Sequence, residues 1–372
     1  MREAKKRDAN LDLLRIVSML LIVFLHSIDH SGVLEHVESC SGGMQIYVWV
    51  AYALCQVCVN CYVMLSGYYL VRSKFRVKKL VTLWMETVFY SFVLKLIFML
   101  TGRDGISVVS LLSCFVPITT GRYWFITIYV GMYMVSPFLN KLICAMDRRE
   151  HTMLNICLFL LFSLWSSIHP RIAGMNSGGG WGLAWFVVLY LAAAWFRLYY
   201  APGHRTSCLL GLYLLIPLAM GAGQVAAQKL GIGFVQSVIR NWFRYDSAPV
   251  YLMTMAIFAA FLNLRIRNGR FASVICSIAP MTFGVYLIHA HADVSPWLWS
   301  VLDLPAYMEH AWFPVLQVAC VVGIFAVCIV IDALRKATVG KMENASETKL
   351  ICDAADTKLR KLLDALCSFI GE

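Results

Sequence analysis

Long apolar stretches alternate with short polar segments along almost the entire chain. Ten of these stretches reach or approach the roughly 20 residues that a helix needs to cross a bilayer. They cover residues 11–30, 44–70, 80–101, 122–144, 151–170, 181–200, 207–225, 247–266, 272–293 and 311–335. Because each span has to satisfy its own backbone hydrogen bonds in lipid, all of them are predicted to be helices. The pattern thus predicts an all-α, polytopic bundle of about ten transmembrane helices.

The stretch from residue 221 to residue 246 is the least regular part of this pattern. Gly221, Gly223, Gly231 and Gly233 interrupt its apolarity, which predicts that the seventh span ends near residue 225. A loop with a re-entrant or interfacial segment is expected to follow. Beyond residue 336, charged residues alternate with leucines, so residues 337–372 are predicted to form a cytosolic amphipathic helix. The chain therefore divides into an integral-membrane domain, 1–336, and a C-terminal tail, 337–372.

Composition supports a membrane protein. Of the 372 residues, 60% are hydrophobic and 14% are charged, whereas soluble domains carry roughly 25% charged residues. A net charge of +11 would suggest nucleic acid as the partner of a soluble protein, but here the cations lie in short loops. Membrane orientation and anionic lipid explain them, so no nucleic-acid partner is expected. The basic loops follow the even-numbered spans, which predicts that both termini are cytosolic.

The thirteen cysteines give no disulfide framework, because most of them lie inside apolar runs. Cys55, Cys58 and Cys61 recur at helical spacing, which would allow a metal site, but no nearby histidine or carboxylate completes one. We interpret them as packing residues and expect no metal.

The first span carries two ionisable residues well inside its ends, Arg15 and His26. Eleven residues at about 100° each bring both side chains to one helix face, about 16 Å apart along the axis. Ionisable residues at membrane depth are costly and are often functional. The structural alternative is that Arg15 reaches the interface and His26 makes one interhelical hydrogen bond. Asp29 lies one turn beyond His26 on nearly the same face.

A basic loop follows the second span. Five cations fall within residues 72–79, among them Arg72, Arg76 and Lys79, which is more than membrane orientation requires. Positive-inside charge and lipid headgroups are one explanation. The other is a clamp for a phosphorylated cytosolic ligand, for which arginine forks and lysine point charges are suited.

Two further segments hold polar or aromatic side chains near span ends. Tyr123 and Trp124 begin the fourth span, where aromatic residues also act as interfacial anchors. His289 lies towards the outer end of the ninth span, near the predicted depth of His26. His291, two residues later, cannot share its helix face, so at most one of the two is expected to reach the same cavity.

Four stretches, in this order, resemble segments of the acyltransferase-3 family of bacterial membrane O-acyltransferases. The resemblance extends over about residues 8–335. The stretches are Asn10-x-Asp12-x-x-Arg15 with His26, Leu65-Ser66-Gly67-Tyr68 before the basic loop, Tyr123-Trp124-Phe125 leading to Ser136-Pro137-Phe138-Leu139, and Phe283-Gly284-Val285-Tyr286-Leu287-Ile288-His289.

The resemblance implies transfer of an acyl group, usually acetyl, from cytosolic acyl-CoA to a hydroxyl of a glycan or lipid-linked sugar. The acceptor would lie at the outer face of the bacterial inner membrane. His26 would be the essential histidine of the first helix and Arg15 its partner. Arg72, Arg76 and Lys79 would bind the phosphates of CoA, although Arg76-Val-Lys-Lys79 only approximates the Arg-x-x-Arg pair of the family.

Two chemical routes fit this reaction. His26 can act as a general base on the acceptor hydroxyl, or it can carry the acyl group covalently. Either route requires a neutral His26 and an oxyanion donor. The candidates for that donor are Tyr123, Trp124 and His289. Asp29, one turn from His26, would either oppose the neutral form of His26 or orient its ring, and all four residues are candidates for the substrate pocket.

A transporter or flippase of a polar glycan precursor is the alternative from another class. Arg15 and His26 would then line its path. Transporters usually contain inverted repeats with broken helices in matched halves, and this sequence has no convincing repeat. The sequence leaves the acceptor sugar, the acyl chain and the oligomeric state open.

Overall fold

The computed structural model describes residues 7–105, 107–168, 177–203, 205–340, 353–355, 357–358 and 361. Within these residues the chain is helical and contains no strand, which confirms the predicted all-α class. The predicted tail helix, 337–372, lies almost entirely outside the described residues, so that prediction stays open.

Among the described residues, ten apolar helices correspond to the ten predicted spans, and we number them in chain order. By length and composition, eight are able to cross a membrane, and two are shorter. The eight long helices are α1 (Ala9–Asp29), α2 (Gly42–Leu70), α3 (Val77–Leu100), α4 (Trp124–Ala145), α5 (Arg148–Ile168), α7 (Thr206–Leu230), α9 (Gly269–His289) and α10 (Phe313–Thr338), and the two shorter ones are α6 (Leu183–Tyr199) and α8 (Ala248–Asn263).

Helix α1 lies at the centre of the bundle. It packs against α2, α8, α9 and α10, and apolar side chains around its circumference, such as Leu14, Val23, Leu25 and Ile28, are fully buried. A helix that is apolar all round is stable only when it is surrounded. The polar residues of α1 therefore face protein rather than lipid.

The seventh helix is longer than predicted. Helix α7 continues to Leu230, where Gly231 ends it in a left-handed conformation (φ +67°), and a short helix, Gly233–Asn241, follows. The expectation of an end near residue 225 was wrong because Gly221 is a packing residue. A Cβ at Gly221 would lie 2.5 Å from Val50 Cγ2 and 2.9 Å from the Val50 backbone nitrogen. The glycine lets α7 approach α2 closely.

Helix α9 is held against α10 in a similar way. A Cβ at Gly284 would lie 2.5 Å from Oδ1 of the buried Asp332. That oxygen accepts hydrogen bonds from the hydroxyl of Tyr90 and from Nε of Arg335, each at 2.8 Å. This buried network joins α3, α9 and α10, and it fixes the helix that ends at His289.

Candidate active site

A cavity of about 190 Å³, which we call the His26 cavity, lies beside the C-terminal half of α1. Its wall is mainly apolar and aromatic, with His26, Asp29 and His30 supplied by the end of α1 and Arg122 by the residues before α4. Asp29 and His30 are exposed while His26 is partly covered. The cavity therefore opens at the end of the bundle where α1 terminates.

His26 is oriented by a histidine of α9. Nδ1 of His26 lies 3.1 Å from Nε2 of His289, and Nδ1 of His289 lies 2.6 Å from the carbonyl oxygen of Val285. A carbonyl oxygen only accepts, so His289 carries its proton on Nδ1 and uses Nε2 as an acceptor. Nδ1–H of His26 then donates to His289, which leaves the lone pair of His26 on Nε2. The network thus assigns His26 the tautomer of a base or a nucleophile.

The next polar residue of α1, His30, also lines the cavity. Its Nδ1 lies 3.2 Å from the hydroxyl of Ser295 in the short helix Val294–Leu302. Although the ring faces the cavity opening, surrounding protein displaces water from it, and this desolvation lowers the pKa of His30 below its ordinary value. His30 is therefore neutral at neutral pH.

The other predicted pocket residues occupy different places. Asp29 and Trp124 line the His26 cavity. His289 does not line it, and its link to the cavity is the hydrogen bond to His26. Tyr123 is buried, and its hydroxyl donates to the carbonyl oxygen of Leu287 at 2.8 Å. His289, and not Asp29, makes the hydrogen bond to Nδ1 of His26.

The two histidines at the end of α9 diverge, as their spacing predicted. Nδ1 of His291 accepts from the backbone N–H of Asp293 (3.2 Å), so Nε2–H donates to the carbonyl oxygen of Ser91 (3.3 Å). Burial lowers the pKa of His291. His291 thus supports the loop after α9, and only His289 contacts His26.

Arg15 lies towards the other end of α1. Its guanidinium pairs with Asp12 at 3.0 Å, and it is absent from the wall of the His26 cavity. It nevertheless lies in the neighbourhood of Tyr62. Tyr62 lines the cavity, and its hydroxyl donates to Thr282 at 2.8 Å. Arg15 itself does not line the cavity, but its neighbour Tyr62 does.

The basic loop is exposed at Arg72, Arg76 and Lys79. It is attached to α4 by Tyr133, whose hydroxyl accepts from the backbone N–H of Arg76 (2.9 Å) and donates to its carbonyl oxygen (3.2 Å). Nζ of Lys79 lies 5.7 Å from the centre of the same ring. The loop thus holds its cations at the surface next to α4.

One face of α4 connects the basic loop with the His26 cavity. Tyr133, Tyr129 and Phe125 are spaced one turn apart, and Phe125 lines the cavity. Tyr129 lies in the neighbourhood of both Tyr133 and Arg15. From Phe125 to Tyr133 this face extends about 12 Å. It forms a partly polar strip between the exposed cations and the cavity.

A second cavity, of about 500 Å³, adjoins the first, and we call it the vestibule. The two cavities share Asp29, Trp181 and Tyr245. The vestibule wall is completed by aromatic and polar groups and by two glycines with left-handed backbone. These further residues are Tyr52, Gln56, Gly178, Gly179, Phe243 and Arg244.

Several cavity residues were not expected from the sequence. Trp181 and Tyr245 lie in segments between helices, and their rings are 5.8 Å apart in the folded chain. No local pattern marks them, because their roles come from contacts between distant segments. Arg122 stands directly before the pair Tyr123-Trp124, so its place in the sequence does mark it as a candidate.

Comparison with protein families identifies one that covers most of the chain. A family model described as an acyltransferase domain, that of the acyltransferase-3 family, matches residues 8–333. No curated protein and no solved structure matches the chain significantly. The match spans α1 to α10, and it confirms the resemblance carried by the four sequence stretches.

Proposed function

Since the chain belongs to the acyltransferase-3 family of membrane acyltransferases, we propose that it transfers an acetyl group from acetyl-CoA to a sugar hydroxyl. The donor binds from the cytosol, and the acceptor, a glycan or lipid-linked sugar, binds from the outer side of the bacterial inner membrane. The observation that carries this proposal is the His26–His289 hydrogen bond. It leaves Nε2 of His26 as an acceptor in a cavity open to a hydroxyl.

The donor site is proposed at the basic loop. CoA is a polyanion on a long thin arm, so its phosphates suit Arg72, Arg76 and Lys79 at the surface. The pantetheine arm follows the strip of Tyr133 and Tyr129 towards the cavity, a path that also passes Arg15. The thioester then lies next to His26. This role for Arg15, lining the arm, agrees with its place outside the cavity wall.

The acceptor site is proposed at the vestibule. Aromatic ring faces carry negative charge and attract the C–H face of a pyranose, and Trp181 is 51% exposed there. Asp29 and Gln56 offer hydrogen-bonding partners for sugar hydroxyls. Because Asp29, Trp181 and Tyr245 belong to both cavities, a sugar in the vestibule can present a hydroxyl to His26.

The proposed reaction is a direct transfer. Nε2 of His26 takes the proton of the acceptor hydroxyl while its oxygen adds to the thioester carbonyl carbon. The tetrahedral intermediate then breaks the C–S bond, and the thiolate of CoA takes the proton from Nε2–H. The products are an O-acetyl ester and CoA. Two adjoining cavities can hold donor and acceptor together, which favours this route over a covalent acyl-His26 intermediate.

Acetyl-CoA turnover by protein purified into nanodiscs tests the proposal. We expect release of CoA thiol by the native chain, stimulated by neutral methyl hexopyranosides, and a loss of roughly 10²-fold or more in His26→Ala. Initial rates at varied donor and acceptor should give intersecting double-reciprocal lines. If acetyl-CoA neither binds nor turns over, and His26→Ala changes nothing, the chain is not this enzyme.

A further inference from the structure

The His26 cavity contains a cation whose partners are neutral. NH2 of Arg122 donates to the carbonyl oxygen of Ser110 at 3.1 Å and to the hydroxyl of Ser113 at 2.7 Å. In the part of the chain that the structure describes, no carboxylate forms an ion pair with Arg122. The guanidinium is thus held in place through one nitrogen, with its charge uncompensated by a salt bridge.

Among the described residues, the surroundings of Arg122 in the cavity offer its charge no paired negative side chain. Phe125, Phe283 and Tyr286 contribute to a largely apolar wall around the same cavity. A cation beside such a wall loses hydration, and only a negative partner or good hydrogen bonds restore the loss. Asp29 is the carboxylate of this cavity, but it interacts with Tyr52 on the vestibule side. A negative charge that arrives with the reaction would meet Arg122.

The expected oxyanion donors are mostly engaged elsewhere. The hydroxyl of Tyr123 donates to the carbonyl oxygen of Leu287. Both ring nitrogens of His289 are used, one by His26 and one by Val285. Of the three candidates from the sequence, Trp124 alone lines the cavity, and its indole N–H is neutral. A charged donor for the oxyanion has to come from another residue.

We infer that Arg122 is a catalytic residue that stabilises the oxyanion of the tetrahedral intermediate. The inference rests on the proposed acyl transfer. When the acceptor oxygen adds to the thioester carbonyl, the carbonyl π electrons move to its oxygen, and Arg122, which lines the same cavity, supplies N–H donors and a positive charge for this oxyanion. When the C–S bond breaks, the charge leaves with sulfur, which then takes the proton from His26. Arg122 keeps its own proton throughout, so it acts electrostatically.

Substitution of Arg122 separates this role from substrate binding. Acetyl-CoA hydrolysis passes through the same kind of oxyanion, so it serves as the probe without an identified acceptor. We expect Arg122→Gln to lower kcat by roughly 10²- to 10³-fold with KM for acetyl-CoA nearly unchanged. Arg122→Lys should recover part of kcat. The matched control is Arg103→Gln, because Arg103 is exposed and stacks on Trp297, 4.6 Å from its ring centre.

The outcomes distinguish the two proposals. Native protein that does not turn over acetyl-CoA removes both. Active native protein with unchanged kcat in Arg122→Gln removes this inference alone. A change confined to KM for an acceptor sugar would make Arg122 a binding residue, which also overturns the inference. A folding defect is excluded if native and Arg122→Gln protein have equal thermal unfolding midpoints and equal affinities for acetyl-CoA. If either quantity differs, kcat is compared between native protein and Arg122→Lys instead.

Discussion

The imidazole rings of His26 and His30 are stacked, with centres 4.4 Å apart and planes inclined by 15°. A positive charge on one ring therefore opposes a proton on the other. In the proposed reaction His26 has to accept a proton, so His30 has to be neutral. The lowered pKa of His30 provides this at neutral pH.

This stacking predicts the acid side of the pH profile. An ordinary histidine gains a proton as pH falls below about 6.5. Because the pKa of His30 is lowered, His30 gains its proton, and activity is lost, at a pH below that value. His26 also has to be neutral, but a proton on either ring opposes a proton on the other, so log(kcat/KM) should fall with a slope of about one. In His30→Gln only His26 titrates and no neighbouring charge is added, so the fall should begin at a lower pH than in the native chain. Coincident pH profiles for both proteins would exclude a role for His30 protonation.

His289 fixes the tautomer of His26, which predicts a loss of turnover without loss of donor binding. In His289→Ala, Nδ1 of His26 has no acceptor in α9, and the proton is free to occupy Nε2. We expect kcat for acetyl-CoA turnover to fall roughly 10²-fold, with KM retained. The control is His291→Gln, since His291 contacts Ser91 and not His26. A comparable fall in both variants would mean a general disturbance of α9.

The sequence revealed those features that depend on local pattern. Hydropathy located ten helices because a helix in lipid requires an apolar run of fixed length. It also singled out His26 and Arg15, since ionisable residues stand out in such a run. The pairing of His26 with His289 joins residues 263 positions apart, and Trp181 enters the cavity from a connecting segment. Those contacts follow from the packing of helices, which no single-sequence pattern contains.

Gly221 is a second position whose role depends on helix packing and does not follow from the sequence pattern. Glycines in an apolar run predict an interruption because they lower hydropathy and helix propensity. In the bundle, however, small residues allow two helices to approach closely, and α7 passes Val50 at this position. Composition alone does not distinguish a glycine that ends a helix, such as Gly231, from one that packs it.

Charge on the basic loop should control the affinity for CoA. Replacing Arg72, Arg76 and Lys79 together by Gln removes three exposed cations, and we expect KM for acetyl-CoA to rise roughly tenfold or more while kcat is retained. The difference should shrink at high salt, because exposed charges are screened. A triple variant of Lys141, Arg148 and Arg149 to Gln changes the net charge equally and serves as the control. Equal changes in KM for both triple variants would exclude a specific CoA site at the basic loop and leave membrane orientation as the role of its cations.

Acceptor recognition should depend on the exposed aromatic face in the vestibule. Trp181→Ala removes the largest such face shared with the His26 cavity, so KM for a methyl hexopyranoside that stimulates turnover should rise roughly tenfold. Hydrolysis of acetyl-CoA without sugar should be retained. Trp312→Ala is the matched control, since Trp312 is 48% exposed and stacks on His310 away from either cavity. Unchanged sugar dependence in Trp181→Ala would place the acceptor elsewhere.

The close contact of α7 with α2 predicts a stability difference between two glycines of one helix. In Gly221→Ala the new methyl group meets the backbone nitrogen of Val50 at 2.9 Å, and backbone cannot rotate away as a side chain can. Overpacking of this kind costs about 1–3 kcal/mol, so the thermal unfolding midpoint in detergent should fall. Gly211→Ala adds the same methyl group to α7 with no atom within 4 Å, so its midpoint should equal or exceed that of the native chain. Equal midpoints for the two variants would show that α7 moves away from α2 at little cost, because the added volume and the change in helix propensity are the same in both.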